Sequence, residues 1–266
     1  MSATLPPTIG SLLREWRQRR RLSQLELALD AEVSTRHLSC VETGRAQPSR
    51  EMVMRLAARL EVPLRERNRL LTAAGFAPMY GERRLDDPAL HAAREAVDQV
   101  LRGHEPYPAL AVDRHWNLVS YNRAVPPLLA GVSAELLVPP VNVMQLSLHP
   151  QGLAPRILNL AQWREHAFAR LRQQIAACAD PQLEALLESL QRYPAPVRRA
   201  APIEAAMVVP LQIESPAGVL SLIGTTTVFG TPVDVTLSEL ALETFFPADE
   251  TTATALRSLY AQHATA

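Results

Sequence analysis

The chain contains no lysine: all 27 of its basic residues are arginine, against 27 acidic residues, so 266 positions carry no net charge. With abundant alanine, leucine and proline, that bias is the mark of GC-rich coding and not of a function. Only two cysteines occur, Cys40 and Cys178, in unrelated contexts. Thiols so placed give no disulfide framework and fit a reducing cytoplasm. No apolar run reaches the ~18 residues a membrane-spanning helix needs, and no apolar stretch follows a charged start as in a leader. The seven histidines are scattered without metal-ligand spacing. There is no Gly-x-Ser-x-Gly elbow, no Gly-rich phosphate loop and no nucleophile placed beside a base. These absences lead us to expect a cytoplasmic chain that is not an enzyme, does not meet the membrane, and has no metal or cofactor site.

Zero net charge conceals an asymmetry. Residues 1–80 hold 13 Arg against 8 acidic residues, a balance of +5, whereas the remainder holds 14 Arg against 19 acidic residues, or −5. A basic module joined to an acidic one is the footprint of a nucleic-acid reader on a chain that otherwise does not bind nucleic acid. The length leaves room for about two domains. Gly75 and Pro78 close the first, so the expected division is 1–80, a connector helix over 81–105, and a second domain over 106–266.

Between Ser23 and Ser49 the spacing predicts two short helices crossed through a tight turn. Leu27, Ala28, Val33, Leu38 and Val41 are the inward positions, and the small Ala28 lets the helices cross closely. Ser34 is a natural N-cap, its hydroxyl able to accept the backbone N–H of Arg36 or His37. At 100° per residue, the outward face of the second helix collects Thr35, Arg36, Ser39, Cys40 and Thr43.

These positions resemble the Cro/repressor-type (XRE) helix-turn-helix regulators: the Gln24 helix start, the Leu27-Ala28 pair, the Val33-Ser34 turn exit and the Glu42-x-Gly44-Arg45 close. The resemblance covers residues 9–76 and implies an all-α, five-helix, lambda-repressor-like DNA-binding domain. One departure is Glu32, at a turn position usually held by Gly. That residue must enter a left-handed conformation at a cost of about 1 kcal/mol, or the turn differs locally. The resemblance implies that Gln24, Thr43 and Arg45 bind phosphates of an operator duplex, which sets register without reading sequence. Arg36 can donate bidentately to guanine O6 and N7, and the Thr35 methyl suits a thymine methyl. Ser39 and Cys40 complete the DNA-binding face, Cys40 by van der Waals contact, with His37 at its edge toward phosphate and Ser34 at its start. Glu42 would repel DNA if it pointed outward. In the resembled family the equivalent Glu pairs with an Arg of the first helix, a position held here by Arg17; the plainer alternative is a solvated carboxylate.

Beyond Gly75, Asp87 and Pro88 open a helix whose Leu90, Val97, Val100 and Leu101 form an apolar stripe, docked on its own domain or on a second copy. Residues 109–113 and 117–121 read as strands joined by an Asp113-Arg-His-Trp hairpin, and Asn122 caps a helix to about Ala130. This opening resembles a PAS sensor fold. Helical patterns follow over 153–179 and 182–192, strands over 206–214, 219–229 and 233–245, and a last helix over 248–261, an α+β domain with an antiparallel sheet. The stretches Pro108–Asn117, Asn142–Pro150, Asn159–Trp163 and Thr225–Asp234 resemble the MmyB-like ligand-binding domain, a PAS-like module fused to XRE-type readers. That resemblance implies a pocket between sheet and helices for a small hydrophobic or fatty-acid-like molecule. Position nominates Trp116, Tyr121, Asn122, Met144, His149, Arg156, Trp163 and Phe168 as its residues, with Arg156 or His149 able to hold a carboxylate head. For each, core packing or helix capping is the alternative.

The expected protein is a sequence-specific transcriptional regulator, a homodimer that binds double-stranded operator DNA and a small-molecule ligand, with repression by analogy. The alternative is an antitoxin-like or scaffold DNA-binding protein whose second domain binds a protein partner.

Overall fold

The structure is a computed structural model that describes residues 7–194 and 209–264. The chain divides into two compact units, one extending to Arg83 and including Ala176–Ala179 and Val233–Val235, the other holding the rest.

The first unit is built on five helices, α1 (Ile9–Arg19), α2 (Gln24–Asp30), α3 (Thr35–Glu42), α4 (Arg50–Arg59) and α5 (Leu64–Ala73). Four of them start where a hydroxyl can take an orphan backbone N–H: Thr8, Ser23, Ser34 and Ser49 accept from Ser11, Glu26, His37 and Met52. At Ser23 the Glu26 carboxylate returns the favour to the Ser23 N–H, completing a capping box. All five end in one left-handed residue, namely Arg21, Glu32, Gly44, Glu61 and Gly75. Glu32 thus takes the glycine conformation, with φ 54°, and the next N–H closes the helix, Val33 donating to Ala28 O at 2.9 Å. The core of Leu13, Leu27, Leu38, Val41, Val53, Leu56, Leu60 and Leu71 is sealed from solvent. Each such leucine stabilises the fold by about 1.5–3 kcal/mol relative to an exposed one. Gly10 marks the tightest crossing: a Cβ there would lie 2.4 Å from Val41 O and 2.7 Å from Glu42 O, so α1 rides on the backbone of α3.

The second unit is an α+β, PAS-like domain. Its antiparallel sheet runs β2 (Leu118–Tyr121), β1 (Ala109–Val112), β5 (Ala241–Pro247), β4 (Gly218–Val228), β3 (Leu211–Ser215), with Ala111 opposite Leu242, Thr225 opposite Thr244 and Ile213 opposite Leu220. Helices α6 (His91–Gly103), α7 (Val143–Leu148), α8 (Leu160–Cys178), α9 (Pro181–Gln191), α10 (Val235–Ser238) and α11 (Glu250–Ala264) surround it. Val97 and Leu101 of α6 pack on Ala109, Ala111 and Leu242 within their own unit, while Val100 of the same stripe stays 50% exposed. Leu110 and Glu243 alternate with those residues and point to the opposite face. There Leu256 and Leu259 of α11 pack against Leu211, Ile213, Leu220 and Leu222.

Several expected boundaries shift. The run 233–245 is not one strand, because α10 and a turn precede β5. The 153–179 pattern opens with a 3-10 turn at Ala154–Arg156, and α8 begins only at Leu160. After Asn122 there is no α-helix; Pro126 and Pro127 leave a 3-10 turn over Pro126–Leu129. The expected strand start at 206–208 lies outside the described residues.

Candidate DNA-reading face and ligand cavity

The outward face of α3 is oriented by a buried polar hub on its far side. Arg17 of α1 holds Glu42 bidentately, Nε to Oε1 at 2.7 Å and Nη2 to Oε2 at 2.8 Å, and Arg17 Nη1 donates to Leu22 O at 2.8 Å. Gln24 Nε2 adds a bond to Glu42 Oε2 at 2.9 Å. Burial pushes the Glu42 carboxyl up, but the Arg17 and Gln24 hydrogen bonds and the Arg17 charge outweigh it and hold the group below its ordinary value. Three helices therefore meet at one carboxylate.

Around this hub the expected DNA-binding residues all reach solvent. Ser34, Arg36, His37, Thr43 and Arg45 are exposed, and Thr35, Ser39 and Cys40 are half-exposed. Ser34 Oγ accepts the His37 N–H at 3.1 Å. Thr43 Oγ1 donates back to Ser39 O at 2.7 Å, and Arg45 Nε donates to that hydroxyl at 3.2 Å. Gln24 has a second task that the sequence did not suggest, since its amide is shared with Glu42.

The second unit has a partly open cavity of about 120 Å³ against the inner face of its sheet. Three of the eight nominated residues line it, Trp116, Met144 and Trp163. Trp116 arrives by an unusual route. It adopts φ 67° in the β1–β2 hairpin, a left-handed backbone stabilised by Asp113 Oδ1, which accepts from His115 and Asn117 at 2.8 Å each. Its indole N–H donates to Gln174 Oε1 at 2.8 Å, and that of Trp163 to Ser147 Oγ at 2.7 Å.

The other five nominated residues are not among those lining the cavity, and each has a different physical job. Tyr121 lies on edge strand β2 and is 51% exposed. Asn122 is buried as a cross-link, its amide donating to Leu101 O and Tyr107 O while Oδ1 accepts the Ala109 N–H. The His149 ring meets Tyr193 edge-on and accepts the Gln151 N–H. Arg156 donates Nη1 to the carbonyls of Leu128 and Ala130 and Nε to Glu214 O, while its Nη2 is buried with no partner among the described residues. Phe168 is buried with the Arg164 and Arg172 guanidinium groups over its ring.

Sequence reasoning missed the cavity's charged wall. Arg170 of α8 holds Glu243 of β5 with Nη1 to Oε2 at 2.9 Å and Nη2 to Oε1 at 2.8 Å, Thr226 Oγ1 bridges both, and the guanidinium stacks 4.6 Å from the Trp116 ring centroid. The signal was a lone carboxylate in the apolar run Ala241–Pro247, because a buried carboxylate requires a cation somewhere. Beside this pair, His166 stacks on Trp163, and burial followed by the Arg170 charge keeps its imidazole below the ordinary histidine value. Leu110, Leu118, Leu128, Leu211, Ile213, Leu222 and Phe245 supply the apolar wall.

A five-helix unit with an outward recognition-helix face, joined to a PAS-like unit with an apolar cavity, defines a DNA-binding transcriptional regulator with a ligand-binding domain. The chain belongs to the MmyB-like transcription regulators: the profile of the MmyB-like transcription regulator ligand binding domain matches residues 93–259, and that of a helix-turn-helix domain matches residues 8–70. The first match begins inside α6. No curated protein matches the chain. Among solved structures the chain is similar to the clp gene regulator ClgR from Corynebacterium glutamicum, with 26% identity over 40% of this chain and 99% of that one, at a TM-score of 0.23. Among the described residues, no helix is long and apolar enough to cross a membrane.

Proposed function

We propose that the protein binds an operator as a homodimer and that a small apolar molecule in the second unit sets its occupancy. The observation that carries this reading is the outward face of α3 and the turn after it, basic at Arg36 on the helix and Arg45 just past it, and fixed from behind by the Arg17–Glu42–Gln24 hub. In this reading Arg36 and Thr35 contact base edges, with Ser39 and Cys40 packed beside them. Gln24, His37, Thr43 and Arg45 hold phosphates, and Ser34 fixes where the helix begins. A single reader covers only a half-site, so two copies would address half-sites about one DNA turn apart. Leu90, in the turn before α6, and Val97 and Leu101 of α6 are buried within their own unit and do not serve as the interface between copies, which leaves Val100 as the exposed member of that stripe. Ligand acts by favouring one of two reader spacings through its differential affinity for the two dimer states.

Selection of a site from random duplexes, followed by affinity measurement on that site and on random DNA, tests the assignment. Arg36→Ala should lose about 1–3 kcal/mol on the selected site and relax preference at one base pair, whereas Arg45→Ala should weaken both duplexes alike. Equal losses on both duplexes for Arg36→Ala would overturn its base-reading role.

A further inference from the structure

We infer that the outer face of α2, an apolar pair with an acidic rim, is a contact for RNA polymerase held on the neighbouring stretch of the same duplex. This inference rests on reading α3 as the DNA reader and adds a direction of regulation, recruitment.

The helix buries one side and leaves the other apolar. Leu27 and Ala28 are sealed in the core, and counting 100° per residue from Leu27 sets Leu25 and Leu29 at about 160° and 200°, opposite it. They are 57% and 68% exposed. Two large side chains one turn apart form a ridge on the reader surface.

Charge around the ridge runs against the rest of the unit. All 13 arginines of residues 1–80 lie outside residues 22–35, which carry Glu26, Asp30 and Glu32. Glu15, Glu42, Glu51 and Glu66 each hold an arginine, whereas Glu26, Asp30 and Glu32 are exposed and make no ion pair among the described residues. Of the three, Glu26 also closes the capping box at Ser23. A carboxylate rim repels phosphates, so this face does not lie on the duplex. What it complements is a basic protein surface.

Size selects the occupant. Two leucines fall far short of the about 1,000 Å² that a contact stable in solution buries. Such a patch acts between partners already held together, and tethering on one duplex supplies the effective concentration. The ridge begins at Leu25, next to Gln24, the residue assigned to a phosphate, and runs about 6 Å along α2, so a neighbour on the same DNA meets it. Proteins that grip a duplex are basic where they approach it, which matches the rim. A second copy does not match, because a two-fold relation sets the acidic face of one reader against the same face of the other. For a transcriptional regulator, the basic neighbour that remains is the polymerase at the promoter.

The test adds the full chain to the organism's own RNA polymerase holoenzyme on templates that carry the selected operator upstream of a weak promoter. The operator is moved in single base-pair steps over one helical turn. The parent should raise transcript yield at least about fivefold at one rotational phase, the low end of coupling between two bound partners. Leu25→Ala with Leu29→Ala should abolish that gain while operator affinity and melting temperature stay as in the parent. Asp30→Arg, which reverses one rim charge, should cut the gain at least about threefold, with the loss shrinking as salt rises. A parent that binds the operator yet stimulates at no phase, or a double variant that stimulates as the parent does, overturns the inference and leaves the DNA-reading assignment in place. Cooperative filling of two tandem operators without polymerase, lost in the double variant, overturns it in favour of a second copy. A folded parent that binds no duplex overturns the DNA-reading assignment and this inference with it.

Discussion

Replacing Arg17 by methionine tests whether the reader depends on its hub. Methionine keeps the aliphatic bulk and removes the guanidinium that reaches Glu42 at 2.7 and 2.8 Å and Leu22 O at 2.8 Å. The Glu42 side chain is 2% exposed and that of Arg17 11%, so the stranded carboxylate would keep one neutral partner, Gln24, and little water. Removing one member of a buried pair costs about 3–5 kcal/mol, and the surviving Gln24 bond puts this case at the low end, about 3 kcal/mol. The loss has a pH signature. In the parent, Glu42 lies below its ordinary 4.5, burial being outweighed by the Arg17 and Gln24 bonds. A depressed carboxyl contributes stability that is present above its unfolded value and lost as pH falls through the folded one. In Arg17→Met only the Gln24 bond and the Arg14 charge still oppose burial, the largest of the effects, so the group rises and protonation relieves the variant first. The gap between parent and variant should therefore be full at pH 7 and narrow as pH falls toward and below 4.5. Urea denaturation followed by Trp16, the one tryptophan of the reader core, measures this in a Trp116→Phe, Trp163→Phe background. A loss under about 1 kcal/mol at pH 7, or a gap unchanged down to about pH 3, would refute the buried-pair argument.

Asn122→Leu should destabilise the second unit by about 3 kcal/mol in denaturant, because it removes the Asn122 partner of the Tyr107 carbonyl and the Ala109 N–H in a dry interior and one of the two bonds that Leu101 O accepts. Glu32→Gly should raise the thermal midpoint of the reader, since it relieves a left-handed strain of about 1–2 kcal/mol at an entropic cost of about 0.5–1 kcal/mol; a lower midpoint counts against the turn being strained. Glu105 is held down to about 2, chiefly by the Arg123 side-chain bond, which with the Tyr260 hydroxyl prevails over burial. The advantage of the parent over Glu105→Gln should therefore be complete above pH 4.5 and vanish between 4.5 and about 2 in melting curves taken against pH.

The reader was legible because its signals are local. Ser34 caps within three residues, Ala28 is small where helices cross, and Glu42 had to turn from DNA toward the only kind of group that could accept it. The cavity was not, because its decisive pairing joins Arg170 to Glu243 across 73 residues, and nothing near either names the other. Polar residues in apolar company misled in one consistent direction. Asn122 and Arg156 looked like ligand holders, and the bonds they make run to backbone carbonyls within the fold. The run 233–245 shows a second limit: an apolar stretch fits a buried strand or a helical turn equally until a sheet neighbour selects one. Trp116 lay beyond pattern altogether, because its inward course depends on a backbone angle that its bulk disfavours.

Gly10 carries a consequence for how such a protein changes over generations. With no Cβ between α1 and the carbonyls of Val41 and Glu42, the recognition helix rests on another helix's backbone, and its angle cannot drift by the side-chain increments that retune looser crossings. With the proposed assignment of base contacts, new operators are acquired by exchanging the outward residues Thr35, Arg36, Ser39 and Cys40 on a fixed mount. Such exchanges leave the sealed core untouched, so address and scaffold can be inherited separately, and a library confined to those four positions should hold many folded readers with different preferences.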